Sequence, residues 1–373
     1  MSQNIGVCKF KNMGATCYMN SILHILQELP NFQEFILKNN FNKEIYDSLH
    51  QLFKLSSQNN DKVIIPTSFK KSIGNKSDLW EGYEQQDSQE FLCFLISSLE
   101  EEIGNKNEFI PSLTFNNNTN EVSNNTNEMW NYTNEVSNNT NEMWNYTNKV
   151  SNNAHYILHN IISQKSWFNY QLREYSLLKN MFDGLTRTKK TCSICKNNQY
   201  AYEPFITLPL SIPLKLNKTE YDINDCFDNF IEIERLTSDN KLTCELCGVK
   251  NKFYTETKLW KTPDILVIQL KRFINNNIVS EKINEKVSYP LELNIENYFD
   301  NFSNYKNNSI YKLKGVNIHL SLGKNINFGH YVSFVKNKIN NNWYIYNDEN
   351  PIREIEEKDL IHNNAYLLFY IRG

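Results

Sequence analysis

Asn12-Met13-Gly14-Ala15-Thr16-Cys17-Tyr18-Met19-Asn20-Ser21 is the stretch on which the reading of the whole chain turns. Gly14 allows a tight turn. Beyond it Ile22, Leu23, Leu26 and Leu29 recur on one face at helical spacing, which predicts an amphipathic helix from Cys17 to about Leu29. A thiol at a helix N-terminus feels the positive end of the dipole, which favours the thiolate, its nucleophilic form. The competing reading is a cysteine buried on a core helix, where free cysteines commonly sit.

A nucleophilic cysteine needs a base. Of seven histidines, His24, His50, His155, His159, His319 and His362 lie in settings that suggest nothing further. His330 lies in Phe328-Gly329-His330-Tyr331, directly ahead of an apolar run. A polar cluster, Trp343-Tyr344-Ile345-Tyr346-Asn347-Asp348, follows it in the sequence. Two adjacent strands joined by the polar loop 336–342 would place both ends side by side. A carboxamide or carboxylate there can hold the imidazole in one tautomer, the Cys-His-Asn arrangement of papain-like enzymes.

The overall balance narrows the function classes. Against 39 basic residues stand 42 acidic ones, a net charge of −3, which argues against a general nucleic-acid binder. The longest apolar runs, near 265–268 and 367–370, are far short of the ~20 residues a spanning helix needs, so no membrane partner is expected. The first ten residues carry no apolar signal core, which argues against secretion. The eight cysteines are therefore expected to be reduced, in the cytoplasm or nucleus, and to serve as ligands, nucleophiles or core residues.

One segment stands apart. Residues 121–134 read EVSNNTNEMWNYTN, residues 135–148 repeat them letter for letter, and a third copy decays after Lys149. An Asn-rich perfect duplication reads as a low-complexity insert, 105–153, between folded parts. Before it the pattern is helical, with Phe91, Leu95 and Leu99 on one face. After it strand-like runs dominate, at 205–210, 265–270, 311–320, 330–335, 343–346 and 365–371. Helices first and strands later give an α+β class.

Cys192-Ser193-Ile194-Cys195 and Cys244-Glu245-Leu246-Cys247 form a second constellation. Two Cys-x-x-Cys knuckles make a four-thiolate zinc site, and with every position a cysteine the site is closed to water and structural. With 48 residues between them, the knuckles must cap the ends of long strands. A disulfide pair or free core thiols are the alternatives. Cys8, Cys93 and Cys226 lack such spacing and read as packing residues.

The letters carry more than the spacing does. The segment 6–29 resembles the cysteine box of the ubiquitin-specific proteases, and 329–348 resembles their histidine box. Gln85-Gln86-Asp87-Ser88-Gln89-Glu90-Phe91-Leu92, Leu270-Lys271-Arg272-Phe273 and Tyr289-Pro290-Leu291-Glu292-Leu293 resemble three further landmarks, all in the family's order. The resemblance implies a papain-like cysteine protease fold with thumb, fingers and palm and a zinc-ribbon-like fingers tip. The expected divisions are a thumb at 1–104, the insert at 105–153, a thumb-to-palm segment at 154–191, fingers at 192–260 and palm at 261–373.

By the same resemblance Cys17 matches the nucleophile and His330 the general base. Asn347 falls at the third triad position, with Asp348 in support, and Asn12 matches the oxyanion-hole residue. Gln85 and Asp87 match positions that grip the tail of ubiquitin, although Asp87 also suits a helix N-cap. Tyr331 is expected to wall the cleft. Cys192, Cys195, Cys244 and Cys247 match the ligands of one zinc. Ala15 stands where Asn is commoner, His24 replaces the usual Gln, and Asn347-Asp348 stands for the commoner Asp-Asp. None of these departures removes a catalytic atom.

The implied activity is a thiol-dependent deubiquitinase, acting as a monomer on ubiquitin and ubiquitinated proteins. The rivals are a protease for another Gly-Gly-tailed modifier and a non-catalytic ubiquitin-binding scaffold.

Overall fold

The structure, a computed structural model, describes residues 8–58, 62–104, 152–173, 176–216, 218–236, 241–276, 279–321 and 329–373. The insert expected at 105–153 lies outside them, except that its last two residues open a helix, Asn152–Arg173.

The helical half comes first. Cys17–Leu26 is followed by Pro30–Lys38, Glu44–Gln58, Thr67–Lys76 and Ser88–Ile103. The first helix stops at Leu26, short of the expected Leu29. Pro30 opens the next helix, and Leu29 ahead of it is held extended (φ −81°, ψ 109°).

The strands form a large sheet in the order Arg353–Ile355, Trp343–Tyr346, Gly329–Lys336, Ile310–Ser321, Ala365–Arg372, Ile265–Lys271 and Thr207–Ser211. Glu292–Asn294 also pairs with Ile310–Ser321. Every pairing is antiparallel except that of Thr207–Ser211 with Ile265–Lys271.

Both faces of this sheet are covered. Ile265, Val267, Leu367 and Phe369 join the helices in one core. Their neighbours Leu266, Ile268, Leu368 and Tyr370 pack in a second core with Phe227 of the helix Ile223–Ile231. Alternate residues are apolar on both sides, so these strands read as continuous apolar runs rather than as an alternation.

A second sheet orders Asn198–Phe205, Gly184–Cys192, Phe253–Lys261 and Glu234–Leu236. It begins at Gly184, ahead of the boundary expected at 192, because the first knuckle sits at the end of a strand that belongs to the sheet. The helix Asn152–Arg173 lies against it, with Ile162 packed with Leu185, Tyr202 and Trp260. Among the described residues no helix is long and apolar enough to cross a membrane.

Candidate active site

Cys17 is the first residue of its helix and is buried. The turn ahead of it is built around the Asn12 amide. Asn12 Oδ1 accepts from the backbone N–H groups of Gly14 (3.2 Å) and Thr16 (3.0 Å), and Thr16 Oγ1 accepts from Met13 N–H (3.0 Å). Gly14 sits at φ +137°, where a side chain would be strained, and an added Cβ would come within 2.8 Å of Tyr83 Cβ. Ala15 N–H donates to Tyr83 O at 3.0 Å. As a first-turn residue Cys17 has a backbone N–H with no intrahelical acceptor.

His330 starts the strand Gly329–Lys336, which pairs antiparallel with Trp343–Tyr346. The loop between them closes on itself, with Asn337 N–H donating to Asn342 O at 2.9 Å. Asn347, just beyond the second strand, puts its Oδ1 2.7 Å from His330 Nε2. An amide oxygen only accepts, so Nε2 carries the hydrogen. Nδ1 is then the ring atom left for the Cys17 thiol. The imidazole is pushed up to about 9, first by its hydrogen bond with Cys17 and further by Asn347 and the Asp348 charge, against the opposing effect of burial.

Asp348 follows in the left-handed region (φ 49°). Its Oδ2 lies 3.8 Å from His330 Nε2, but its close partners are elsewhere. Oδ2 accepts from Asn12 Nδ2 at 2.9 Å and Oδ1 from Asn20 Nδ2 at 2.8 Å. Burial raises the Asp348 pKa, and the two amides oppose that rise. Glu349 Oε2 adds an acceptor for Asn12 N–H at 2.9 Å. Asp348 thus clamps the cysteine turn to the histidine hairpin, and its charge also supports the protonated ring.

Asn20 had no role in the sequence reading. The signal was available: a carboxamide one turn after the cysteine, on a helix that is otherwise largely apolar, is buried only with partners. His24 lies one turn further on. It is buried between the rings of Phe10 (4.5 Å) and Tyr346 (4.4 Å), and burial pulls its pKa down to about 3.

Asp87 caps the helix Ser88–Ile103. Its Oδ1 accepts from the N–H groups of Gln89 (2.7 Å) and Glu90 (3.1 Å), while Oδ2 takes the hydroxyls of Tyr366 (2.9 Å) and Tyr331 (3.4 Å). Tyr331, expected to wall the cleft, is instead buried. Its ring packs 4.6 Å from that of His319, and it stands behind the Asp87 carboxylate. Gln85 is exposed, and its Oε1 accepts from Gly329 N–H at 3.0 Å, joining the helical half to the histidine strand. Beneath them Ser88 Oγ donates to Asn317 Oδ1 (2.9 Å), and Asn317 Nδ2 to Ser21 Oγ (2.8 Å).

The other cysteines fall into two groups. The sulfurs of Cys192, Cys195, Cys244 and Cys247 lie within 4.8 Å of one another and could hold a metal ion. The two knuckles share one turn. Cys192 O accepts from Lys196 N–H and Cys192 N–H donates to Asn197 O. Cys244 O accepts from Gly248 N–H and Cys244 N–H donates to Val249 O. Lys196 (φ 61°) and Gly248 (φ 70°) occupy the same left-handed position. Cys8 and Cys226 are fully buried, and burial pushes both thiols up to about 12; Cys93 is half-buried beside Gln89 and Thr207.

Known proteins are similar to this chain in sequence. Ubiquitin carboxyl-terminal hydrolase Usp2 of Drosophila melanogaster is 26% identical over 377 residues, covering 98% of this chain and 35% of that protein. Ubiquitin carboxyl-terminal hydrolase 2 of Homo sapiens is 25% identical over 98% of this chain and 55% of its own length. Ubiquitin carboxyl-terminal hydrolase 4 of Saccharomyces cerevisiae is 24% identical over 97% of this chain and 39% of its own. The chain thus spans between about a third and just over half of these relatives.

In fold it is similar to a chain of the SAGA Ubp8/Sgf11/Sus1/Sgf73 DUB module bound to ubiquitin aldehyde. The TM-score is 0.68 at 23% identity, over 100% of this chain and 71% of that one. The model of the family described as ubiquitin carboxyl-terminal hydrolase matches residues 8–370, from the strand before the cysteine turn to the last strand of the large sheet. With both boxes and nearly all of the sequence inside that match, the chain belongs to the ubiquitin carboxyl-terminal hydrolase family.

Proposed function

We propose that the chain is a thiol-dependent deubiquitinase that hydrolyses the isopeptide or peptide bond after the C-terminal glycine of ubiquitin. The observation that carries this reading is the His330 ring, held at Nε2 by Asn347 and raised in pKa foremost by the Cys17 thiol at the head of the first helix.

In the reaction Cys17 Sγ attacks the carbonyl carbon while His330 takes the thiol proton. The carbonyl oxygen becomes an oxyanion, for which the Cys17 backbone N–H and the second hydrogen of Asn12 Nδ2 are donors. The intermediate collapses as the C–N bond breaks, and His330 gives its proton to the leaving amine. Water, deprotonated by His330, then hydrolyses the thioester and frees the carboxylate and Cys17. Gln85 and the capped Asp87 flank the cleft through which the tail of ubiquitin would run.

The four-cysteine cluster fits a structural zinc, one per chain. Four sulfurs about 2.3 Å from a central zinc stand about 3.8 Å apart in a tetrahedron. Cys195–Cys244 at 3.6 Å and Cys192–Cys247 at 4.0 Å bracket that spacing. A bound zinc would tie the two finger ends together and leave the chemistry to the distant cleft. We propose a reducing compartment, cytoplasmic or nuclear, on the ground of the free thiols, and a monomer as the working state.

The test is incubation with ubiquitin carrying a C-terminal electrophile and, in parallel, with other Gly-Gly-tailed modifiers. A covalent ubiquitin adduct at Cys17, absent in Cys17→Ala, is expected. Cys17→Ala should keep its fold and its ubiquitin affinity and lose all turnover. An adduct only with another modifier would move the substrate assignment. Turnover surviving in Cys17→Ala would remove Cys17 as nucleophile.

A further inference from the structure

A buried lysine outside the two boxes reaches the turn ahead of Cys17. Lys70 lies on the helix Thr67–Lys76 and is 3% exposed. Its ammonium donates to three successive carbonyls, those of Trp80, Glu81 (3.3 Å) and Gly82 (2.6 Å). It also lies 5.1 Å from the centre of the Tyr83 ring. These carbonyls end the short turn Asp78–Trp80, where backbone oxygens lack intrahelical donors and carry partial negative charge. One turn along the same helix, Gly74 lets the loop approach closely, since a Cβ there would stand 3.0 Å from Glu81 Cα. Burial pulls the Lys70 ammonium below its ordinary pKa, and the Glu81 charge opposes this.

The next residue, Tyr83, is the seat of the cysteine turn. Its carbonyl takes the Ala15 N–H, and its Cβ fills the space that Gly14 leaves open. The path is short: ammonium, three carbonyls, Tyr83, Gly14-Ala15, then Thr16 and Cys17. The turn carries both oxyanion donors, Asn12 Nδ2 and the Cys17 N–H. Such donors act only when they are already aimed at the place where charge develops.

We propose that Lys70 is a positioning residue for the oxyanion donors, fixing the loop 80–83 on which the turn ahead of Cys17 is seated. The proposal rests on the thiol-hydrolase reading above. Lys70 touches neither substrate nor the reacting atoms.

The test compares wild type, Lys70→Met and Lys70→Gln in the full chain. Hydrolysis is measured on ubiquitin carrying a C-terminal fluorogenic amide. Alkylation of Cys17 by iodoacetamide is followed by mass spectrometry. Alkylation displaces iodide at a saturated carbon and forms no oxyanion, so it reports on the thiol and His330 alone. Lys70→Met is expected to lose about tenfold or more in kcat with KM within about twofold, while alkylation stays within about twofold of wild type. Lys70→Gln keeps a donor for the carbonyls and is expected to lose less.

Wild-type kcat in both variants overturns the proposal. So does a fall in alkylation that matches the fall in kcat, or a failure of both variants to fold, which would make Lys70 a folding residue. No turnover and no ubiquitin adduct in wild type would overturn the thiol-hydrolase reading itself, and the proposal with it.

Discussion

Asn347 holds His330 without bringing a charge of its own, so the ring's basicity rests on hydrogen bonds, on the neighbouring thiol and, less, on the Asp348 charge. Removing the Asn347 bond lowers the pKa that it helps to raise. The imidazolium that protonates the leaving amine is then lost at lower pH. Asn347→Ala is therefore expected to shift the alkaline limb of kcat/KM, near pH 9 in the wild type, toward acid and to lower kcat by roughly ten- to a thousandfold. Asp348→Ala acts elsewhere. It leaves the Asn12 and Asn20 amides without their acceptor, and should cost less in kcat; because the Asp348 charge raises the ring less than the Asn347 bond does, the alkaline limb should move toward acid by less than in Asn347→Ala. pH–rate profiles of the two variants separate these outcomes, and an unmoved limb in Asn347→Ala would transfer the orienting role to Asp348. Linkage gives the same pKa a sign in stability. A histidine raised on folding stabilises fully below its unfolded value of about 6.5, and that contribution fades as pH rises through about 9. The His330–Asn347 contact was legible because both residues sit in one short motif. The Asn20–Asp348 bond was not, because its partners stand 328 positions apart and only the folded chain brings them together.

Among the elements, the two knuckles show how a local rule survives a change of residue. Gly248 suits its left-handed position, whereas Lys196 pays a Cβ penalty of about 1 kcal/mol at the matching one. Lys196→Gly is expected to leave zinc content unchanged and to raise thermal stability slightly, part of the gain being offset by the entropy of glycine in the unfolded chain. Cys195→Ser breaks the four-thiolate set. With the proposed structural zinc, the metal content found by elemental analysis should fall from one zinc per chain to near none, with KM rising before kcat changes. Full zinc content in Cys195→Ser would remove Cys195 from the ligand set. The strands were legible from their β-branched and aromatic runs, and Trp343–Tyr346 is found where the sequence put it. The start of the finger sheet was not, because Thr186, Arg187 and Lys189 of its first strand look like a polar linker until the fold, with this strand paired to Phe253–Lys261, buries the first two and half-covers the third.

For the molecule as a whole, the helix Asn152–Arg173 opens within the last two residues of the expected insert. A deletion that spares it should stop at 150. Removing 116–150 is expected to leave kcat/KM within about threefold and the melting temperature within a few degrees, since lengthening a surface loop costs only about 0.6 kcal/mol per doubling. A tenfold loss of activity, or a drop of several degrees, would mean that the repeat packs on the catalytic half. The α+β class was legible from helices preceding strands. The sheet order was not, because central neighbours such as Ile310–Ser321 and Ala365–Arg372 are chosen by packing on both faces rather than by any local pattern.

The Asp348 clamp also bears on the birth of the protein. The helix that carries Cys17 leaves the ribosome before the carboxylate that locks its turn, which follows 328 positions after Asn20. At ordinary rates of synthesis that gap lasts roughly fifteen seconds to a minute. For nearly all of it the cysteine has neither its histidine nor its clamp, so the geometry around Cys17 is assembled only when the strands Gly329–Lys336 and Trp343–Tyr346 close against the first helix.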